Sequence, residues 1–195
     1  MLKKLMTLLH TADDRMLTMV RVVLGSVMFA HGAQKALGWF GGAGFDPTLS
    51  YFGQTLGIPA PLAVLAIAAE LIGGAFLLVG LLGRLSAFGI AVNMIVAALL
   101  VHLPYGFFMN WFGTKPGEGI EYHILALALA VVIVVRGSGA WSVDRLLVHR
   151  VGRGSVEIPV RRSSSLPGAS SRPLPGMPRV MRASWAWVAE YQRRW

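Results

Sequence analysis

The sequence predicts an all-α integral membrane four-helix bundle, with N- and C-termini cytoplasmic and a disordered basic C-terminal tail. Three observations carry this. Hydrophobic residues make up 55% of the 195-residue chain and glycine adds another 23 positions, more apolar material than a soluble domain of this length can hide. Charged residues are only 14%, against about 25% in an average soluble domain. Four segments approach the roughly 20 mostly apolar residues that a bilayer crossing needs. The apolar excess also excludes intrinsic disorder over most of the chain.

Residues 1–15 read as a cytoplasmic N-terminal segment. Asp13 and Asp14 interrupt the first apolar stretch and a long apolar run follows, which is unlike a cleavable signal. The expected spans are 16–37, 61–82, 85–103 and 120–135, within a four-span domain covering 16–147. The fourth is short, so it begins inside the preceding loop or sits in thinned bilayer. Small residues at four-residue spacing, Ala69/Gly73, Ala87/Ala91 and Ala126/Ala130, provide flat faces on which helices can approach closely. The loops 38–60 and 104–119 carry Trp39, Phe40, Tyr105, Phe107, Phe108, Trp111 and Phe112. An interfacial aromatic belt accounts for these.

Cations set the orientation. Lys3, Lys4, Arg15, Arg84, Arg136 and Arg145 share the side of the termini, whereas Lys35 and Lys115 lie toward the other. The termini are therefore expected in the cytoplasm. Of the net charge of +9, residues 1–149 hold nine Lys/Arg against seven Asp/Glu, and residues 150–195 hold nine Arg against two Glu. The basicity belongs to the 148–195 tail, rich in Pro, Ser and Arg and expected to be mostly disordered. Residues 183–195 could lie as an interfacial helix on an anionic leaflet. No nucleic-acid motif accompanies the arginines, so no nucleic acid is expected as a partner.

Ionisable groups inside spans are costly and point to function. Counted from the cytoplasmic ends at about 1.5 Å per residue, Glu70 lies about 18 Å up, His31 and Glu121 about 22 Å, His123 about 20 Å and His102 about 26 Å. Five groups from four helices thus share one layer. Left alone in hydrocarbon, Glu70 would be neutral; a partner such as His31, His123 or Arg21 would keep it charged. His31, Gln34 and Lys35 fall on one helix face. The layer suits a proton relay to a quinone. The spacing of His102, Glu121 and His123 matches no metal signature, and no metal is assigned. The absence of Cys excludes a disulfide, a thiol relay and Cys-ligated clusters within the chain.

The stretch Phe29-Ala-His-Gly-Ala-Gln-Lys-Ala-Leu-Gly-Trp-Phe-Gly-Gly42 resembles the signature of the DoxX family of bacterial membrane proteins. Leu56-Gly57-Ile58-Pro59, Ala69-Glu70-Leu71-Ile72-Gly73-Gly74, His102 with Gly106-Phe107-Phe108, and Glu121-Tyr122 also fit it. The resemblance covers about residues 15–147. It implies four spans in the bacterial inner membrane and an association with redox chemistry, including a thiosulfate:quinone oxidoreductase subunit and complexes linked to oxidative-stress defence. By position, the motif residues here are His31, Gln34, Lys35, Glu70, His102 and Glu121.

The resulting expectation is a component of a quinone-linked redox, oxidative-stress or sulfur-metabolism system. His31, Glu70, His102 and Glu121 are the candidate catalytic residues, with His31 and Glu70 as the proton-handling pair. Gln34, Lys35, Trp39 and His123 are the candidate cofactor contacts, with Lys35 a site for an anionic group. Quinone is the candidate cofactor. The lipid bilayer, a soluble or membrane redox partner and a second copy of the chain are the candidate partners. The alternatives are a non-enzymatic scaffold for a soluble redox enzyme and a small proton-coupled transporter.

Overall fold

A computed structural model describes residues 2–154. The proposed interfacial helix over 183–195, and the rest of the tail beyond 154, lie outside the described residues. Within them all regular structure is helical: α1 (Leu2–Leu9), α2 (Arg15–Leu37), α3 (Phe45–Ser50), α4 (Ala60–Val79), α5 (Gly83–Ala97), α6 (Glu121–Arg136) and α7 (Val143–Gly154). Two helices loosen at their ends. α3 continues as a wide π-type turn over Tyr51–Thr55, and α5 does so over Ala98–His102 before a tight turn at Leu103–Tyr105.

The termini of these helices follow from local chemistry. Asp14 precedes α2 and its carboxylate accepts from the Met16 amide at 2.8 Å, satisfying one of the unpaired donors of the first turn. α2 stops at Gly38, whose φ of 70° is left-handed and suits a residue without Cβ. α4 starts behind Pro59 with a proline in its first turn, where a missing N–H costs nothing. It ends at Val79 rather than at the expected 82, because Gly80 turns left-handed and Gly83 already opens α5. α1 and α3 are additional helices, in segments that the hydropathy pattern marks only as terminus and loop. α7 crosses the expected 147/148 boundary and keeps residues 148–154 helical. Ser142 starts it, its Oγ accepting from the Arg145 amide at 3.3 Å, and Asp144 lies in the first turn, where a negative charge is favoured.

Arg15–Leu37, Ala60–Val79 and Gly83–Tyr105 are long and apolar enough to cross a membrane. Their outward faces carry large apolar side chains in the open, among them Met16, Met19, Leu65, Ile72, Leu85 and Leu99. The interior alternates small residues, Ala87, Ala91, Ala126 and Ala130, with the larger Leu24, Met28, Leu77, Ile90, Met94 and Ile133. Large apolar groups facing outward, with small residues at the helix contacts, are the arrangement that lipid solvation permits. The chain is an all-α membrane protein whose surroundings are a lipid bilayer.

α2 packs against α4 and α6, and α5 packs against the same two, so the four helices close into a ring. α2 and α4 run antiparallel and touch through glycine. A Cβ on Gly25 would meet Leu77 Cβ at 2.9 Å, and one on Gly32 would meet the Leu71 backbone nitrogen at 2.3 Å. At the end of the bundle near the start of α2, Arg21 and Asp144 lock the α4–α5 turn. The guanidinium of Arg21, 2% exposed, donates to the carbonyls of Leu77, Leu78, Ser138 and Trp141. Asp144 accepts from the amides of Leu82 and Gly83 at 2.7 and 3.0 Å and from the Ser138 hydroxyl at 2.6 Å. A cation on the last carbonyls of α4 and an anion on the first amides of α5 both oppose the helix dipoles favourably.

Candidate functional site

Glu70 is the centre of the polar layer. It lies in the middle of α4, yet its side chain is only 3% exposed, so it faces the bundle and not lipid. Lys35 Nζ of α2 is ion-paired with Glu70 Oε2, and Asn93 Nδ2 of α5 donates to Oε1 at 2.8 Å. Three helices are thus tied to one carboxylate. A buried carboxylate with a hydrogen-bonded cation and a second donor is the arrangement that makes burial of its charge tolerable.

The pairing follows from helix direction. Side chains lean toward the N-terminus of their own helix. Because α2 and α4 are antiparallel, Lys35 leans down the bundle and Glu70 leans up it. Gly32 lies level with Glu70, so Lys35 stands about 4.5 Å above it at 1.5 Å per residue, an offset closed by one long and one medium side chain. This corrects the expected partners of Glu70. Arg21 is engaged with carbonyls at the far end of α4, and the direct partners are Lys35 and Asn93 instead of His31 or His123.

Aromatic rings extend the layer away from Glu70. The His31 and Tyr122 rings lie 5.7 Å apart between centroids, Tyr122 and His123 5.3 Å, and His123 and His102 4.1 Å. The rings come from α2, α6 and the π-type turn that follows α5. That wider turn sets where His102 falls around the helix axis, and such turns recur at functional sites. The charge of Glu70 acts on both His31 and Tyr122, and that of Lys35 on both His31 and His123. Lys35 and His31 lie on one face of α2, so the carboxylate cluster and the ring series adjoin. The Tyr122 hydroxyl and His123 Nδ1 are buried and have no hydrogen-bond partner among the described residues, leaving two polar atoms inside the bundle able to engage a ligand or water.

At the far end of the series, His102 Nδ1–H donates to the Glu118 carbonyl at 2.9 Å, which fixes the orientation of the ring. The carboxylates here organise the loop. Glu121 Oε2 accepts from the Met109 amide at 3.2 Å and Glu118 Oε2 from the Asn110 amide at 2.5 Å. Gln34 Nε2 donates to the Phe40 carbonyl at 3.4 Å. Trp39, 52% exposed, packs edge-on against Phe40. So the structure gathers Lys35, Glu70, His31, His123 and His102, and it places Glu121, Gln34 and Trp39 in the loop framework around them. Asn93, Tyr122 and Glu118 were not singled out as site residues from sequence. Asn93 carried a signal, as a polar residue within a span one helix away from Glu70.

Residues 16–103 match the DoxX family model. A protein of Bacillus subtilis (strain 168) named "Putative oxidoreductase CatD" is 28% identical over 138 residues, covering 71% of this chain and 91% of its own length. No solved structure matches.

Proposed function

We propose that this chain, a membrane protein with a DoxX domain over residues 16–103, is the proton-handling component of a quinone-linked redox system in the bacterial inner membrane, with both termini cytoplasmic. The observation that carries the proposal is the buried Glu70 carboxylate, held by Lys35 and Asn93 beside the ring series of His31, Tyr122, His123 and His102. The CatD name lends support, since it describes that relative as an oxidoreductase. The stronger cation content at the end that carries the termini supports the orientation.

Reducing a quinone to a quinol consumes two electrons and two protons. The chain has no Cys, so the electrons come from a substrate or from a partner, soluble or membrane-bound. The layer supplies the protons. Lys35 supplies the counter-charge to Glu70 while the two are paired. An anionic group that engages Lys35 frees the Glu70 carboxylate to relay a proton. His31, on the same face of α2 as Lys35, is placed to exchange it, and His123 and His102 continue the series toward the loop. Gln34 and Trp39, at the same end of α2, are assigned to the rim of the quinone site.

The test combines binding and turnover. Purified protein in detergent is titrated with a short-chain quinone, and quinone reduction is followed in membranes with and without the chain. Binding is expected, together with a loss of reduction on deletion that wild type restores and Glu70→Gln does not. No quinone binding, combined with unchanged reduction in deletion membranes, would overturn the proposal.

A further inference from the structure

At the opposite end of the bundle from the Glu70 layer there is a cavity of about 630 Å³, lined by Met6, Thr7, Leu8, His10, Arg84 and Val148. It lies where α1 meets α7 and the start of α5. The volume falls within the range of small-molecule sites. Its lining divides into an apolar wall of Met6, Leu8 and Val148 and a polar side of Thr7, His10 and Arg84, with no carboxylate among these residues.

Arg84 gives the polar side its sign. Its guanidinium is fixed by carbonyl oxygens alone: Nη1 donates to Val134 and Val135, and Nε and Nη2 donate to His10. These bonds orient the cation without neutralising it, and among the described residues Arg84 has no carboxylate partner. The nearby cations differ, Arg145 being paired with Asp13 and Arg136 lying 3.9 Å from Asp14. The cavity is also level with the ends of the spanning helices, since Arg84 is the second residue of α5. That is headgroup depth, where a basic pocket faces phosphate rather than acyl chain.

We infer that this cavity binds the phosphate headgroup of an anionic phospholipid, with Arg84 and His10 on the phosphate and Met6, Leu8 and Val148 against the first carbons of the glycerol and acyl chains. Inorganic phosphate shares the charge chemistry but has nothing to set against the apolar wall. The lipid is therefore the ligand assigned. The site is independent of the Glu70 layer and of any redox role.

The test is native mass spectrometry of the full chain in mild detergent with added phosphatidylglycerol or phosphatidylcholine. Wild type is expected to retain phosphatidylglycerol about fivefold better, the effect of roughly one cation at the headgroup. Arg84→Gln should abolish that preference and Arg84→Lys should keep most of it. Arg84 also caps α6, so Met6→Trp provides a second variant that fills the cavity while sparing the guanidinium network, and it too should abolish the preference. Equal retention of the two lipids by wild type would overturn the inference. So would a preference that survives Met6→Trp, or displacement of the lipid by excess inorganic phosphate, which would reassign the cavity to a soluble anion.

Discussion

At the scale of single residues, the Lys35–Glu70 pair decides most. Removing one member of a buried ion pair leaves an uncompensated charge and costs about 3–5 kcal/mol, whereas replacing both with apolar groups is often neutral. Lys35→Met should therefore lower the thermal midpoint in detergent markedly, and Lys35→Met with Glu70→Leu should recover most of that loss. Failure of the double variant to recover would mean that the pair acts through something other than its charges. Asn93→Ala removes a single donor to a charged acceptor and should cost about 1.5–3 kcal/mol, again read from thermal unfolding. Glu70 was legible in the sequence because an acid inside an apolar run is conspicuous. Its partner was not. Counting residues along helices locates Cα atoms, and by that measure Lys35 sits about 10 Å too far up the bundle. In the structure Gly32 lies level with Glu70, which leaves Lys35 about 4.5 Å above it, and the opposed lean of side chains on antiparallel helices closes the rest. Arg21 is engaged by backbone carbonyls at the end of α4, acceptors that no residue pattern displays.

At the scale of elements, the α2–α4 contact and the α4–α5 turn hold the site in place. Gly32 lies against the backbone of Glu70 and Leu71, its absent Cβ falling 2.3 Å from the Leu71 nitrogen and 2.7 Å from the Glu70 carbonyl carbon. Backbone cannot move aside as a side chain can. Gly32→Ala should therefore push α4 away at the residue that carries the carboxylate and cost more than the about 1–3 kcal/mol usual for overpacking. The measurable outcome is a lower unfolding midpoint together with loss of whatever activity depends on Glu70. Gly53→Ala is the control, because a Cβ there meets nothing within 4 Å. At the far end, Asp144→Asn keeps the shape but removes the charge that answers the Leu82 and Gly83 amides, and should destabilise by about 1.5–3 kcal/mol. The small-residue spacing was a readable guide here: Ala87, Ala91, Ala126 and Ala130 all lie in the buried cluster. The π-type turn that carries His102 was not readable, since a one-residue change in helix register leaves no mark on hydropathy.

At the scale of the whole molecule, the membrane character was legible from composition, and the all-α character from apolar runs of the length that a spanning helix needs. The path of the chain across the bilayer rests on α6. With sixteen residues it rises about 24 Å, short of the roughly 30 Å hydrocarbon thickness. Its two ends are nevertheless tied to opposite ends of the third spanning helix. At the start, the Ile120 and Glu121 amides donate to the Gly106 and Phe107 carbonyls, just beyond Tyr105. At the finish, the Arg84 guanidinium reaches the Val134 and Val135 carbonyls. We propose that a helix joined to both ends of a spanning neighbour traverses the same layer, with the Arg84 side chain and the pinned loop making up the missing length. On that four-span path the loops containing Gln54 and Thr114 fall on one side and α7 on the other. The native chain lacks Cys, so single substitutions report without background. Gln54→Cys and Thr114→Cys should react with an impermeant maleimide added to intact spheroplasts. His149→Cys should react only in inverted vesicles. Labelling of all three from outside would mean that α6 returns without crossing, and it would undo both the four-span path and the cytoplasmic placement of the C-terminal segment.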